Sequence, residues 1–434
     1  MPYPKRVRAR SRLAVVASLV LALAGAEAAW AQTPSLPSKP ATLDLSEALA
    51  RASASDPALA AWDSRQSAAE ANIRQAGVRP NPSLGVELEN FAGTGAYSLL
   101  DRTETTLSYQ QTFERGGKRE ARVDAARASA EVVRRRREVR RLDLLRDVQT
   151  AYAEALAAEA ELLIAEARFI AAESAQRDVD RRVRAARDPL FARSRAEAIT
   201  AQAEIERDQA RTGAENARAV LARFWGGSSD FALELEGFFA VTPPKGAGAA
   251  ARVDLALLEA ERDVAIANVG IERSRTMTDP TLRAGVRYLG NGSNVAFVVG
   301  GTIPLRRYDT NKAAVERALA ERNATEVDIT ADRIVREREI SRLTARLGSS
   351  ALEAERLRAE VIPKAIQAVE QVRDGYNRGG FQYANVAEAE RGLADARARR
   401  VAVLRQFHLD QAALDRLTGR YSALASSNLN AERR

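Results

Sequence analysis

The chain has 434 residues, of which 29 % are charged and 5 % aromatic, and its formal net charge is +8. This length predicts two or three domains or one elongated repeat protein, and so few aromatic residues favour long helices packed through Ala and Leu over an ordinary compact core. There is no cysteine, so we expect no disulfide, no thiolate metal site and no lipoprotein anchor.

The N-terminus has the pattern of a signal peptide. Five basic residues between Lys5 and Arg12 precede an apolar run over residues 13–24, which is too short to span a bilayer as a helix. Small residues make cleavage acceptable after Ala28 and after Ala31, and we favour residues 1–31 as the signal peptide. The alternative is that this segment is retained as an anchor. Its removal lowers the formal charge to about +4, so the high pI does not indicate a nucleic-acid partner.

Two prolines end the first helical region and introduce strands. After one short helix, a second is predicted over residues 57–75 with Asp56 as its N-cap, and Pro80 and Pro82 stop it. Between residues 82 and 113, apolar and polar residues alternate on both sides of a glycine-containing loop. This alternation predicts a β-hairpin with one apolar face.

A long helix is predicted to follow the hairpin. Residues 119–187 contain no proline or glycine, which at 1.5 Å per residue predicts a rod of roughly 100 Å. Its narrow, alanine-rich apolar stripe needs neighbouring helices over the whole length. Asp188-Pro189 ends the rod, and a helix over residues 191–224 returns. The simplest arrangement stacks this helix end to end with helix 57–75, antiparallel beside the rod.

The second half of the chain repeats this plan. Segment 279–282 repeats segment 81–84, and segment 415–419 aligns with segment 222–226, which indicates an internal duplication. The predicted parts are the signal peptide 1–31, a first repeat 32–226 with hairpin 82–113, a linker 227–250, a second repeat 251–420 with hairpin 280–305, and a C-terminal tail 421–434.

A second long helix is predicted over residues 311–373. Gly375, Gly379 and Gly380 break it where Asp188-Pro189 breaks the first, and a last helix covers residues 384–417. Each half therefore supplies one rod, two shorter helices and two strands. The fold class is mainly α, with a small β part beyond one end of the helices.

The four predicted strands have one apolar side and one polar side. The charged residues of the polar side, predicted to face a pore, are Glu87, Glu89, Arg283 and Arg287. Four strands cannot close a barrel, an open edge is not tolerated in lipid, and outer-membrane barrels have an even number of strands of about 9–11 residues. Closure therefore implies an oligomer, and three copies give twelve strands. The alternative is ordinary surface β-structure on a helical periplasmic protein.

Five motifs spread over both halves carry a family resemblance. They are Leu45–Leu49 with Asp56-Pro57, Arg79–Pro82, Gly116–Arg119, Gly375–Gly380 and Leu417–Arg420. With them the mature chain resembles the TolC-like outer membrane efflux protein family over essentially its whole length. Within that family, Arg79–Pro82 followed by Val86–Gly93 is similar to the branch paired with cobalt-zinc-cadmium exporters.

The resemblance implies a homotrimer whose twelve-strand barrel in the outer membrane continues as an α-helical barrel through the periplasm. It implies a passive exit duct for an inner-membrane RND-type pump and a periplasmic adaptor, with the helix-break turns as an entrance that is closed at rest. The candidate residues for holding this entrance shut or contacting the adaptor are Arg187, Asp188, Pro189, Asp374, Arg378, Gly379 and Gly380. For each of them the alternative is an ordinary solvated turn residue.

No pattern in the sequence indicates an enzyme, a cofactor or a resident metal. His408 is the only histidine, and Met277 is the only methionine after signal removal, so soft-ligand metal sites are not expected. We interpret His408 as a residue on a helix surface. Gly116-Gly117-Lys118 lacks the first glycine and the Ser or Thr of a phosphate-binding loop.

Two other functions stay open. A duct of the same fold could serve multidrug efflux or type I protein secretion. A soluble periplasmic coiled-coil adaptor or scaffold belongs to another class, and an adaptor would need a domain of many short strands.

Overall fold

The computed structural model describes residues 42–422 except 56, 98–101, 245, 247, 291 and 293. The predicted signal peptide, the Asp56 cap and the tail beyond residue 422 lie outside the described residues. The elements of the first half are β1 (Thr42–Leu43), α1 (Leu45–Ser55), α2 (Pro57–Ala76), β2 (Ser83–Glu89), β3 (Glu104–Thr112), α3 (Lys118–Arg184) and α4 (Leu190–Ala222).

The second half repeats the order of helix, hairpin, long helix and returning helix. Its elements are β4 (Ala232–Leu233), α5 (Glu236–Phe239), α6 (Arg252–Ser274), β5 (Thr281–Leu289), β6 (Asn294–Thr302), α7 (Lys312–Arg356), a π-helical turn (Leu357–Val361), α8 (Ile362–Asn377) and α9 (Tyr383–Thr418). Over the described residues, no helix combines the length and the apolar character needed to cross a bilayer.

The rod α3 is one uninterrupted helix of 67 residues, as predicted. Both α2 and α4 run antiparallel beside it. In the N-terminal half of the rod, Arg137 pairs with Asp63 of α2 at 2.9 Å. Near the C-terminal end of the rod, Asp180 pairs with Arg193 of α4 at 3.3 Å. The predicted end-to-end stacking of two shorter helices along the rod is therefore confirmed, and it covers the alanine-rich stripe.

The second rod differs from its prediction. It was expected to be uninterrupted over residues 311–373, but it widens into the π-helical turn just before Pro363. A proline inside a helix removes a hydrogen-bond donor and crowds the preceding turn, and a π-helical turn relieves that crowding. Gly375 lies within α8 rather than ending it. The ring of Phe381 packs where a side chain at residue 375 would stand, so this position requires glycine.

The hairpins form one antiparallel sheet in the order β2-β3-β5-β6. One row across it aligns Val86 with Leu107, Val286 and Phe297, and the next aligns Glu87 with Thr106, Arg287 and Ala296. The predicted separation of an apolar from a polar side is confirmed. Among the described residues, β2 and β6 each have a strand neighbour on one side only.

A largely buried ion cluster joins the two halves part-way along the rods. Arg416 of α9 donates from Nε to Asp143 of α3 at 2.6 Å and from Nη1 and Nη2 to Asp254 of α6 at 2.7 and 2.9 Å. Asp254 also pairs with Arg336 of α7 at 3.3 Å. Burial opposes the charge of Arg416, but these hydrogen bonds outweigh it and raise the pKa of the guanidinium.

His408 is not the surface residue that the sequence suggested. Its ring stacks on Phe238 of α5 with centroids 5.0 Å apart, and its Nε2 lies 3.0 Å from the Phe238 carbonyl oxygen. Burial lowers the pKa of His408, which favours the neutral imidazole. The sequence could not reveal this contact, since 170 residues separate the two partners.

Replacing Arg416 with Met should destabilise the protein strongly, because the buried carboxylate of Asp254 and the partly buried carboxylate of Asp143 are left with incomplete pairing. We expect a loss of about 3–5 kcal/mol in the free energy of unfolding, measured by urea denaturation followed by circular dichroism. The control is Arg391→Met, which removes an exposed pair with Glu388 and should change stability by less than about 1 kcal/mol. Equal effects of the two substitutions would contradict the role of the cluster.

Candidate functional site

The polar face of the sheet is organised around Arg287. Its guanidinium pairs with Glu89 at 2.8 Å and with Glu104 at 2.7 Å, and it donates to the Thr106 hydroxyl at 3.0 Å. The strand register produces this arrangement, since Thr106 lies directly opposite Arg287 in β5 and opposite Glu87 in β2. Glu104 was missing from the predicted pore-facing residues, although strand alternation places it on the same face as Thr106.

Glu87 and Arg283 complete the charged part of this face. Their side chains pair at 3.4 Å and remain partly exposed. The structure thus brings the four predicted residues onto one face and pairs each acid with an arginine. Ion pairing of this kind suits a face in contact with water. Without their partners, like charges at this spacing would repel one another, and burying an unpaired charge would cost free energy.

The opposite face is an exposed apolar surface. Val86 is 70 % exposed and Phe297 is 87 % exposed. The exposed large apolar side chains of this face are Leu84, Val86, Leu88, Leu107, Tyr109, Leu282, Val286, Tyr288, Val295, Phe297 and Val299. A continuous patch of this extent is not left in water by a soluble monomer, so it indicates contact with lipid or protein.

At the other end of the helices, the α3–α4 turn meets the α8–α9 turn. Arg182 donates to the Tyr376 carbonyl oxygen at 2.9 Å and to Asp188 at 3.2 Å, and its guanidinium lies 4.4 Å from the Tyr376 ring centroid. The Tyr376 hydroxyl donates to Asp188 at 2.5 Å. We call Arg182, Asp188 and Tyr376 the turn cluster. It links the two halves of the chain.

The turn cluster is largely withdrawn from solvent. The side chains of Arg182 and Asp188 are 16 % and 13 % exposed, and Tyr376 is buried. Burial and the hydrogen bond to Asp188 raise the pKa of Tyr376, so its hydroxyl stays protonated and remains a donor. A charge-assisted hydrogen bond of this type is stronger than one between neutral groups.

The other predicted entrance residues surround this cluster without joining it. Pro189 is the N-cap of α4, and Arg187 is exposed. Asp374 and Arg378 form an exposed pair at 2.7 Å. Gly379 has a φ of +85° and the Gly380 N–H donates to the Gly375 carbonyl at 2.8 Å, a glycine-dependent helix end.

Sequence reasoning found Asp188 but missed Arg182 and Tyr376 as its partners. Arg182 is one of several arginines at the end of α3, and no spacing rule distinguishes it from the others. Tyr376 lies within one of the family motifs, so an aromatic residue beside the helix break was the available signal.

No cofactor or metal site is evident in the part of the chain that the structure describes. Nowhere in that part do three or more His, Cys, Asp or Glu side chains converge as ligands for a metal ion.

Comparison with known protein families gives a match over both halves. The family described as outer membrane efflux protein matches residues 48–227 and 249–420. The cobalt-zinc-cadmium resistance protein CzcC of Cupriavidus metallidurans is 30 % identical over 92 % of this chain and 96 % of its own length. The nickel and cobalt resistance protein CnrC of the same organism is 28 % identical over 61 % of this chain and 65 % of its own.

Solved structures share the fold at low sequence identity. The outer membrane protein VceC of Vibrio cholerae aligns with a TM-score of 0.70 at 20 % identity, over 86 % of this chain and 96 % of its own. CusC, studied for its folding and transmembrane channel formation, aligns with a TM-score of 0.67 at 15 % identity, over 87 % and 92 %. The resemblance drawn from the sequence motifs is confirmed, both for the family and for its heavy-metal branch.

Replacing Tyr376 with Phe should loosen the two turns, because Asp188 loses its hydroxyl donor. A hydrogen bond to a charged group contributes about 1.5–3 kcal/mol, so we expect amide hydrogens of residues 182–190 and 374–380 to exchange about tenfold faster or more. Hydrogen exchange with mass spectrometry measures this. Tyr383→Phe is the control at the same end. Unchanged exchange in Tyr376→Phe would show that the hydroxyl does not secure the turns.

Proposed function

The chain belongs to the outer membrane efflux protein family, and we propose that it is the outer-membrane exit duct of a tripartite efflux system. It conducts substrates passively from an inner-membrane RND-type pump and a periplasmic adaptor to the exterior. The observation that carries this proposal is the four-stranded sheet, which has one exposed apolar face, one ion-paired polar face and two strands without outer partners. The family description agrees with the predicted outer-membrane location.

Closure of the sheet requires further copies of the chain. In lipid, every backbone N–H and C=O must be paired within the protein, so the outer sides of β2 and β6 need strand partners. Two copies would give eight strands, a barrel whose interior is filled by its own side chains. Three copies give twelve strands and leave a lumen. We therefore propose a homotrimer with the ion-paired face lining a twelve-strand barrel and the apolar face in lipid.

The helices continue the duct away from the membrane. The α3 rod is roughly 100 Å long at 1.5 Å per residue, which suits an α-helical barrel through the periplasm. The turns at its far end then form the entrance. In this arrangement the turn cluster holds the entrance closed, while the exposed residues Arg187, Asp374 and Arg378 are available to the adaptor.

Heavy-metal cations are the proposed substrates. The support is similarity to a cobalt-zinc-cadmium resistance protein and to a nickel and cobalt resistance protein. The second candidate is multidrug efflux or protein secretion through the same fold. The likeness to VceC and CusC concerns the fold and does not identify a substrate. A soluble scaffold is disfavoured by the extent of the exposed apolar face.

A charge on the apolar face should prevent assembly. We expect Val86→Asp to abolish accumulation of the protein in outer-membrane fractions, because a lipid-facing charge near mid-depth costs several kcal/mol. The matched control is Val298→Asp, since Val298 lies opposite Gly285 on the polar face of the same sheet. Fractionation and immunoblotting measure both. Normal assembly of Val86→Asp, or equal failure of the two variants, would contradict the assignment of the faces.

Deletion of the gene should sensitise the cell to metals. We expect lower growth-inhibitory concentrations of zinc, cobalt and cadmium, with little change for dyes and antibiotics, because the duct serves a metal exporter. Expression of the intact chain should restore tolerance, and expression of the Val86→Asp variant should not. Sensitivity confined to organic compounds would leave the duct in place but assign it to drug efflux.

A further inference from the structure

Two segments flank the open edges of the sheet at the same end. β2 begins at Ser83, and β6 ends at Thr302. Because consecutive strands in the order β2-β3-β5-β6 are antiparallel, the start of β2 and the end of β6 lie at one end of the sheet. In a closed barrel, the chain leaving β6 of one copy therefore emerges beside the chain entering β2 of the next.

The segment after β6 carries unusual apolar exposure. We call residues 303–308 the seam segment. Leu305 is 90 % exposed and Tyr308 is 89 % exposed, the highest values among the exposed large apolar side chains of the described residues. Both lie beyond the last residue of β6, so strand pairing does not cover them. Ile303 in the same segment is also exposed. Three exposed large apolar side chains within six residues form a patch of the kind that marks an interaction site.

A groove beside the start of β2 is suited to receive them. We call it the seam groove; it measures about 890 Å³, within the range of cavities that enclose a drug-sized ligand. Its apolar walls are Val78, Pro80, Pro82 and Phe113, and about half of the Val78 and Phe113 surfaces is exposed.

The groove is fixed before any partner arrives. Gln111 donates to the Pro80 carbonyl oxygen at 3.0 Å. Arg122 donates to the Val78 carbonyl oxygen at 3.3 Å. With its backbone held from both sides, the groove needs little ordering on association, and preorganisation of this kind favours binding.

Two prolines limit the contact between copies at this position to side chains. Pro82 directly precedes β2 and Pro304 follows β6 by two residues. Proline has no N–H to donate, so strand pairing between copies stops at both. Beyond that point the two chains can meet only through side chains.

We propose that the seam segment of one copy seats in the seam groove of the next copy, placing Leu305 and Tyr308 against Val78, Pro80 and Phe113. The contact seals each seam where the backbone ladder ends. It rests on the proposed trimeric barrel and specifies a side-chain interface within it. Without such a seal, the base of each seam would leave an apolar gap between the barrel and the helices.

The absence of cysteine from the chain permits a direct cross-linking test. The full-length double variant Val78→Cys/Leu305→Cys is treated in isolated outer membranes with a short bismaleimide and run on a denaturing gel. We expect covalent dimers and trimers in more than half of the protein. Each single variant should stay monomeric on the gel. The control pair is Val78→Cys/Val327→Cys. The exposed residue Val327 lies in α7, about 20 Å from the start of that helix, so this pair should not cross-link.

A native gel of the same membranes separates failure of the interface from failure of the trimer. A native trimer whose Val78→Cys/Leu305→Cys variant yields only monomers on the denaturing gel overturns the seam contact and leaves the proposed duct intact; Leu305 and Tyr308 would then face lipid. A native monomer overturns both proposals. Equal cross-linking by the test pair and the control pair also overturns the seam contact.

Discussion

An open sheet edge cannot face lipid, because each unpaired backbone N–H and C=O there would lose its hydrogen bond with water and gain none. The rest of this structure depends on that constraint. The sheet exposes apolar side chains on one face and ion pairs on the other, yet β2 and β6 each lack a partner on the outer side within the described chain. A single copy therefore satisfies neither lipid nor water. In the proposed barrel, further copies pair the edges and enclose the polar face, which meets both requirements.

The internal repeat of the chain extends along the helices to the turns at the far end of the molecule. Each rod is covered by two shorter antiparallel helices, and ion pairs join the two halves at several levels along the molecule. Part-way along the rods, Arg416 joins α9 to α3 and α6. At the turns, Arg182 and Asp188 of the first half hold Tyr376 of the second. A change at the turns would therefore have to alter the packing between the halves, as the proposed entrance requires.

The sequence predicts local structure and the faces of the sheet well, since period-2 alternation alone sets which side chains share a face. It also predicts that Arg283 and Arg287 lie with Glu87 and Glu89, but not which acid pairs with which arginine, because that depends on the register between strands distant in sequence. The π-helical turn before Pro363 was missed because neighbouring residues retain helix-forming character. The contacts of Arg182, Arg416 and His408 join residues more than 150 positions apart, and no local pattern encodes them.

The number of chains in the membrane-embedded assembly tests the central claim most directly. Native mass spectrometry of the intact protein, extracted from outer membranes and transferred to lipid nanodiscs, gives that number without reference to any substrate. We predict three chains, because three four-stranded sheets close a twelve-strand barrel with a lumen. One chain would leave both edges open, and two would close a barrel filled by its own side chains. Either result would contradict the account.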